Sequence, residues 1–239
     1  MLRAADLLLQ YPRPDNIRNC EHVMVLAPHP DDDIIGAGGV IALHLAAGAN
    51  LTVVYLTDGE ATVALRGSPQ CARRTVRLRE ARTALAKLGT AKTECLHLED
   101  GRLNSALTAL SCQVAFLLDT YKPQIIYLPF FGDAHPDHRA VTWALSRIKW
   151  TAQSDVTVAC YEIWSPQPAN IIVDITDVAA KKFAALMEHR TALTSLNYLP
   201  YVKSLNRYRA MHRDSWRYAE AFLVLALKEY ICLARQCHP

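Results

Sequence analysis

The sequence predicts an α/β protein in which a mostly parallel sheet is covered by helices on both faces. Short apolar segments typical of buried strands alternate with helical segments along most of the chain. Clusters of histidine and aspartate follow two of these strands, where such sheets place their ligands. The sequence has no internal repeat and no linker-like stretch, so we expect one domain over residues 1–239.

Apolar runs, helical periodicity and breaking residues place the individual elements. Six segments predict strands: 22–27, 51–56, 95–98, 124–129, 156–163 and 171–174. Four segments predict helices: 40–47, 72–88, 105–121 and 139–150. Gly89 and Pro123 end the second and third of these helices. The tail from Asp177 is predicted to be mostly helical, with 219–227 left open between a helix and a last strand.

The composition excludes several classes of protein. Apolar residues make up 51% of the chain and charged residues 21%, which predicts a large core and excludes wholesale disorder. The net charge of +3 is too small to indicate nucleic acid as a partner. No apolar run reaches the roughly 20 residues of a transmembrane helix, and the N-terminus lacks a signal-peptide pattern. We therefore expect a soluble, cytoplasmic protein.

The cysteines favour a reducing compartment. Seven are scattered along the chain and no CxxC motif occurs. Cys232 and Cys237 have no second cysteine pair with which to form a structural zinc site. Free thiols are therefore expected.

Two clusters of histidine and aspartate, about a hundred residues apart, carry the expected chemistry. Their members are His29, Asp31 and Asp32 in the first cluster and His135, Asp137 and His138 in the second. Imidazole nitrogen and carboxylate oxygen are ordinary zinc ligands, and three protein ligands with an open position form a catalytic zinc site. The remaining acids and imidazoles can serve as general base and general acid around an attacking water.

Both clusters lie in recognisable motifs. Residues 28–33 are Pro-His-Pro-Asp-Asp-Asp, and residues 135–138 are His-Pro-Asp-His. These segments resemble the AHPDDE signature and the HxDH motif of the LmbE-like, or PIG-L, zinc-dependent de-N-acetylases. Weaker similarity at 57–60, 77–89, 99–103, 205–209 and 219–222 extends the resemblance over nearly the whole chain. Pro28 and Asp33 depart from the signature, which has Ala and Glu there.

The resemblance implies which residues bind the metal. By it, His29, Asp32 and His138 hold one zinc ion per chain, and Asp31 is the general base that takes a proton from the attacking water. Adjacent aspartates cannot easily point the same way, so one can bind the metal while the other faces the water. Zinc lowers the pKa of a bound water to roughly 7, which lets a carboxylate take its proton.

The resemblance also implies roles around the metal. His135 would stabilise the oxyanion or protonate the departing amine, which is a poor leaving group until protonated. Asp137 would hold the ring of His135, and Arg77 would contact the substrate. We also expect Asp58 and Asp100, which follow neighbouring strands, to brace the site without binding the metal.

By the same resemblance, the fold is a Rossmann-like, LmbE-type domain and the activity is hydrolytic. The expected reaction removes the N-acetyl group from an N-acetylglucosamine-type sugar or glycoconjugate and gives a free amine and acetate. Relatives often form homo-oligomers, and the sequence leaves the oligomeric state open. A zinc amidohydrolase or esterase with a non-sugar substrate, or a catalytically silent binding module, are the alternatives. The presence of all six cluster residues argues against the silent module.

Three other features have more than one interpretation. The glycines at 36, 38 and 39 lack the GxGxxG spacing, and the preceding aspartates would repel a pyrophosphate, so close backbone packing beside a substrate is favoured over a dinucleotide site. The arginines of the 72–88 helix face water, attract an anionic substrate or contact nucleic acid, with water as the first expectation; those at 207–217 present the same choice. Trp164 either packs against the protein or stacks on a sugar ring.

Overall fold

The computed structural model describes residues 13–14, 20–149, 155–211 and 213–236. Its strands are β1 (Arg13–Pro14), β2 (His22–Ala27), β3 (Asn50–Thr57), β4 (Lys92–Leu98), β5 (Ile125–Pro129), β6 (Thr157–Tyr161), β7 (Ile171–Asp174) and β8 (Ala219–Ala226). Its helices are α1 (Asp32–Ala46), α2 (Gln70–Leu88), α3 (Leu107–Tyr121), α4 (Pro136–Arg147), α5 (Ala179–Leu186), α6 (Arg190–Ser195), α7 (Leu199–Ala210) and α8 (Leu227–Gln236). A short 3-10 helix, Leu103–Ala106, precedes α3.

These strands form a single sheet in the order β1-β7-β8-β6-β5-β2-β3-β4. Neighbouring strands run parallel, except that β8 is antiparallel to both β6 and β7. From β2, the chain builds β3 and β4 on one side of the sheet and β5 and β6 on the other. The strand order therefore changes direction at β2. A crevice beyond the carboxyl ends of β2 and β5 is the place where such a sheet binds a ligand.

The sheet separates two hydrophobic cores, and β2 contributes to both. Successive side chains of a strand point to opposite faces. Val23 and Val25 accordingly pack with α1, α2 and α5, whereas Met24 and Leu26 pack with α3, α4 and α8. The predicted α/β architecture with helices on both faces is confirmed.

Helix α1 begins at Asp32 and not at residue 40, where the sequence predicted its start. The glycines at 36, 38 and 39 weaken the local helical signal, since glycine costs about 1 kcal/mol relative to alanine within a helix. Close packing offsets this cost. A Cβ atom at Gly36 would lie 2.1 Å from Cδ2 of Tyr161, and one at Gly39 would lie 2.5 Å from Cγ2 of Ile175. Tertiary contact therefore extends the helix back to the first aspartate cluster.

Helix α4 differs from its predicted bounds, and strand β8 settles a segment that the sequence left open. Helix α4 begins at Pro136 because His135 caps it, with Nδ1 accepting a hydrogen bond from the backbone N–H of Asp137 at 3.2 Å. The helix ends at Arg147, and the predicted end at Trp150 lies outside the described residues. The segment left open at 219–227 is the strand β8.

No helix in the described part of the chain is long and apolar enough to cross a membrane. The six cysteines in the described ranges are free thiols. Cys237, the seventh, lies outside those ranges.

Candidate metal centre

The two histidine–aspartate clusters meet at the carboxyl edge of the sheet. One follows β2 and the other follows β5, and these two strands pair directly in parallel. One ring nitrogen from each of His29, His135 and His138 lies within 4.8 Å of the others. Pairing of the two strands is thus enough to join segments that are distant in the sequence.

Asp32 lies at ligand spacing from both of the expected imidazole ligands. Oδ2 of Asp32 lies 3.0 Å from Nδ1 of His29 and 3.3 Å from Nε2 of His138. Tetrahedral zinc with bonds of 2.0–2.1 Å separates its ligand atoms by about 3.3 Å. Nε2 of His138 is buried and has no hydrogen-bond partner among the described residues, a state that costs roughly 1–3 kcal/mol when nothing binds the nitrogen. These residues therefore fit a metal ion.

Each imidazole ligand is held by a carboxylate at its other nitrogen. Nδ1 of His138 donates to Oδ1 of Asp133 at 2.9 Å. Nε2 of His29 lies 3.2 Å from Oδ1 of Asp100 and 3.5 Å from Oδ2 of Asp137. Metal-binding histidines commonly use such partners to fix the ring and its tautomer. Asp133 was not predicted, although it lies five residues before His138 in the same loop.

The side chain of Asp137 differs from its expected place beside the ring of His135. Its two oxygens accept hydrogen bonds from the backbone N–H groups of Gly101 at 2.8 Å and Leu103 at 3.0 Å. These bonds direct the carboxylate towards His29. The ring of His135 is instead fixed by the backbone N–H of Asp137, which donates to Nδ1. The proton of neutral His135 is therefore on Nε2.

Asp31 is buried beside the ligands, and two donors orient it. The hydroxyl of Tyr198 donates to Oδ2 at 2.9 Å, and Nη2 of Arg77 lies 3.2 Å from the same oxygen. No residue of the described ranges bonds to Oδ1. Tyr198 is 167 residues from Asp31, so no local sequence pattern indicates this contact.

Arg77 offers the site two more donors. Its Nε and Nη1 are buried and have no hydrogen-bond partner in the described part of the chain. The turn after β3 passes close by, since a Cβ atom at Gly59 would lie 2.8 Å from Nε of Arg77, and Gly59 also has a positive φ of 66°. Arg79 and Arg82 on the same helix are exposed. Of these three arginines, Arg77 lines the cavity over the ligands.

Asp58 lies away from the metal ligands. Its carboxylate accepts a hydrogen bond from Nδ1 of His97 at 2.8 Å and lies 3.5 Å from Nε of Arg74. The side chain of Asp58, which follows β3, therefore links β4 and α2. Asp100 braces His29 directly, as described above, so of the two expected bracing residues it is the one in contact with a ligand.

The combined effect of burial and the surrounding charges raises the pKa of His29 and His138 and lowers the pKa of His135. Burial alone would lower the pKa of His29, but nearby carboxylates, chiefly that of Asp32, raise it well above its ordinary value. The pKa of His138 is raised in the same way against its burial. By contrast, burial and then the charges of His29 and His138 lower the pKa of His135. His135 is therefore neutral near pH 7 and can donate from Nε2.

A cavity of about 410 Å³ lies over this cluster. Asp31, Asp32 and His135 line its floor together with Arg77 and the half-exposed Trp164. A small substrate can therefore reach the metal ligands, the oriented carboxylate and the neutral imidazole at once. A parallel α/β sheet with this cluster at its switch point has the layout of a metal-dependent hydrolase.

Comparison with known proteins shows the family to which the chain belongs. A family described as PIG-L, GlcNAc-PI de-N-acetylase, matches residues 24–149, and the chain belongs to that family. The match contains both histidine–aspartate clusters and Arg77.

Relatives and solved structures agree with this assignment. The chain is 28% identical over 233 residues to a 1D-myo-inositol 2-acetamido-2-deoxy-alpha-D-glucopyranoside deacetylase of Mycobacteroides abscessus, with 72% of this chain and 81% of the relative covered. It is 27% identical over 222 residues to the diacetylchitobiose deacetylase of Thermococcus kodakarensis, with 83% and 80% covered. The N,N'-diacetylchitobiose deacetylase of Pyrococcus horikoshii has the same fold, with a TM-score of 0.75, 22% identity, and 89% of this chain and 86% of that chain covered. The predicted LmbE-like fold is confirmed.

Proposed function

We propose that the protein is a zinc-dependent hydrolase that removes the N-acetyl group from an N-acetylglucosamine-type sugar or glycoconjugate. The products are a free amine and acetate. The observation that carries the proposal is the buried Nε2 of His138, which makes no hydrogen bond within the described residues and lies 3.3 Å from Asp32. Asp32, His29 and the oriented carboxylate of Asp31 line one cavity. The two sequence relatives described above, both deacetylases by name, support the choice of reaction.

The metal would be held by His29, Asp32 and His138, one ion per chain. Two imidazole nitrogens and one carboxylate oxygen suit zinc better than they suit magnesium or calcium, which prefer oxygen ligands. When bound, zinc lowers the pKa of a water to about 7 and polarises a carbonyl group.

Asp31 would take the proton from the attacking water. With Oδ2 bonded to Tyr198 and Arg77, Oδ1 is the oxygen that remains for this transfer. The water oxygen then bonds to the acetyl carbon, and the carbon–nitrogen bond breaks. The departing nitrogen needs one proton. Either Asp31 passes on the proton that it took from the water, or His135 donates its own Nε2 proton and regains one from Asp31, so the protons balance in both cases.

His135 would stabilise the negative charge that develops on the acetyl oxygen. Its lowered pKa keeps the ring neutral, and its proton is on Nε2 because Nδ1 accepts from the backbone. Arg77 would bind the sugar through its free Nε and Nη1 groups, which can donate to hydroxyl oxygens.

We also propose that residues 1–239 form one deacetylase domain that works in the cytoplasm without a nucleic-acid partner. The single sheet that contains strands from Arg13 to Ala226 supports one domain. The free thiols in the described ranges support a reducing compartment, and the net charge of +3 is small for a protein that binds nucleic acid. A measurement of the protein's mass in solution determines whether the chain forms a homo-oligomer.

The direct test is acetate release by the zinc-loaded protein from a panel of N-acetylglucosamine conjugates, with N-acetyl amino acids and acetyl esters beside them. We expect acetate from the sugars. The variant Asp31→Ala should keep its zinc and lose roughly 10²–10⁴ in turnover, while Asp119→Ala, at an exposed position, should match the parent.

Other outcomes would contradict specific parts of the proposal. Release from the non-sugar substrates alone would make the protein an amidohydrolase or esterase of another class. Bound zinc without release from any substrate would favour a silent binding module. Loss of zinc in Asp31→Ala would mean that Asp31, and not Asp32, is the metal ligand.

A further inference from the structure

A second cavity, of about 390 Å³, adjoins the one over the metal ligands. The two cavities share four lining residues, Ile35, Trp164, Leu196 and Tyr198. Tyr198 bonds to Asp31, so the shared wall is also in contact with the expected general base. A group attached to a substrate in the first cavity can therefore extend into the second.

The walls of the second cavity are mostly apolar, and its charged lining groups are already neutralised. Glu220 is paired with the buried Nζ of Lys182 at 2.7 Å, and Glu162 is paired with Arg209. A charged ligand would find no free counter-ion there among the described residues. The uncharged polar groups of the lining are the indole of Trp164, the hydroxyls of Tyr198 and Tyr201, and the side chain of Asn206. Asn206 is 5% exposed, and its Oδ1 has no hydrogen-bond partner in the described part of the chain. This chemistry suits an uncharged, largely apolar occupant.

Exposed apolar side chains line both cavities. Trp164 is 48% exposed, Leu196 46% and Tyr201 70%, and all three line the second cavity. Trp164 and Leu196 also line the first cavity, together with Val63, which is 49% exposed. Exposed apolar side chains that line a cavity beside a candidate catalytic site commonly mark the place where an apolar part of a ligand binds.

We propose that the second cavity binds an alkyl chain carried by the substrate next to the amide that is cleaved. This inference rests on the deacetylase function proposed above and specifies its substrate class. The chain can be attached in two ways, either as a long N-acyl group or as an alkyl group on the glycosidic oxygen. Both attachments bring the same chemistry into the cavity.

Two matched substrate pairs separate these attachments. One pair is methyl N-acetylglucosaminide and methyl N-octanoylglucosaminide; the other is methyl N-acetylglucosaminide and octyl N-acetylglucosaminide. Each buried methylene contributes roughly a fourfold factor in binding. We therefore expect kcat/KM for amine release to rise about tenfold or more for the long member of at least one pair. No rise in either pair would overturn the inference.

Variants on α7 test whether the gain comes from this cavity. Leu205→Trp places a larger side chain in the cavity and should reduce the advantage of the long substrate to within about twofold. Tyr201→Ala removes an exposed wall without disturbing the core, so it provides a second test if the tryptophan variant does not fold. Tyr208→Trp is the control, because Tyr208 is 59% exposed on the same helix and does not line the cavity. An unchanged advantage in both cavity variants would contradict the proposal.

A binding measurement separates failure of this inference from failure of the deacetylase function. If no substrate is hydrolysed, the deacetylase function fails, and calorimetric titration with octyl N-acetylglucosaminide, methyl N-octanoylglucosaminide and methyl N-acetylglucosaminide still tests the cavity. Tighter binding of either long compound to the parent than to Leu205→Trp supports the cavity as an alkyl site. Equal binding of both long compounds to the two proteins overturns it.

Discussion

His138 owes its orientation to one carboxylate, that of Asp133. The distance from Nδ1 to Oδ1 is 2.9 Å, and both side chains are fully buried. Asp133 is itself fixed by the loop after β6, because its Oδ2 accepts hydrogen bonds from the backbone N–H groups of Trp164 at 3.0 Å and Ser165 at 3.2 Å. The expected metal ligand His138 is therefore positioned through a chain of contacts that reaches a third strand.

Asp133→Asn should weaken zinc binding by about 10- to 100-fold, the usual effect of removing an outer partner of a metal-binding histidine. The amide of asparagine has the shape of the carboxylate but lacks its negative charge. That charge favours the tautomer of His138 with the proton on Nδ1. Competition with a chromophoric chelator measures the affinity, and Asp119→Asn at the exposed end of α3 is the matched control. An unchanged affinity would mean that Asp133 does not position the ligand.

Tyr198→Phe should lower kcat roughly tenfold while zinc content stays the same, since a hydrogen bond to a charged group contributes about 1.5–3 kcal/mol. The variant removes the donor to Oδ2 of Asp31 and leaves Arg77 as its remaining partner. Steady-state kinetics with zinc analysis checks both parts, and Tyr208→Phe serves as control. Loss of zinc with the hydroxyl would show that Tyr198 supports the metal site and not the base.

At the scale of elements, the close contact between α1 and β6 places the first cluster. Asp32 is the first residue of α1, and Gly36, one turn later, packs against the ring of Tyr161 in β6. The hydroxyl of Tyr161 in turn donates to the backbone carbonyl of Leu26 in β2 at 2.8 Å. The start of the helix is thereby fixed relative to the strand that precedes it.

Gly36→Ala should destabilise the protein by about 1–3 kcal/mol or more, because the new Cβ would lie 2.1 Å from a rigid ring in a packed core. Gly38→Ala is the matched control in the same helix, since its Cβ would lie no closer than 3.1 Å to Cγ of Lys182 and 3.3 Å to Cγ2 of Ile34, a much smaller overlap. For Gly38→Ala, the gain of about 1 kcal/mol in helix propensity offsets that contact. Urea unfolding measures both variants. Equal stabilities would refute the packing argument.

The sequence predicted the strands well because buried parallel strands are almost wholly apolar. The bounds of β2 and β7 agree with the prediction residue for residue. The starts of α1 and α4 were missed, because packing around Gly36 and the cap formed by His135 depend on contacts that no local propensity records. The strand β8 could not be told from a helix by periodicity, since both of its faces are buried.

The sequence predicted the parts of the site whose residues lie close together in the chain. The motifs at 28–33 and 135–138 each supply ligands within a few residues, and their strands are neighbours in the sheet. Contacts that cross the fold were not predictable. Tyr198, which directly precedes α7, reaches Asp31 from a distant part of the chain. The carboxylate of Asp137 turns to the loop at Gly101 because two backbone donors are there.

For the whole molecule, stability against acid depends on a buried histidine outside the motifs. His189, at the start of α6, is fully buried, and neither ring nitrogen has a hydrogen-bond partner in the described ranges. Burial lowers its pKa to about 4. As the pH falls from 6.5 to 4, the unfolded chain binds a proton that the folded protein does not, so stability is lost in that window.

Replacement of His189 by leucine should remove this loss. Between pH 7 and pH 4.5 the free energy of unfolding of the parent should fall by roughly 2.5 kcal/mol more than that of His189→Leu. Burial raises the pKa of Asp33 to about 7, which acts in the opposite direction, but this contribution is common to both proteins and cancels in the difference. Urea unfolding at the two pH values measures it. Parallel curves would show that His189 is protonated in the folded state.

The proposed reaction depends on a zinc ion held by His29, Asp32 and His138. Elemental analysis after zinc loading and gel filtration tests this assignment, with the parent, His138→Ala and the exposed-histidine control His22→Ala measured together. We predict about one zinc per chain in the parent and the control, and almost none in His138→Ala. A parent without zinc, or full zinc occupancy in His138→Ala, would contradict this assignment.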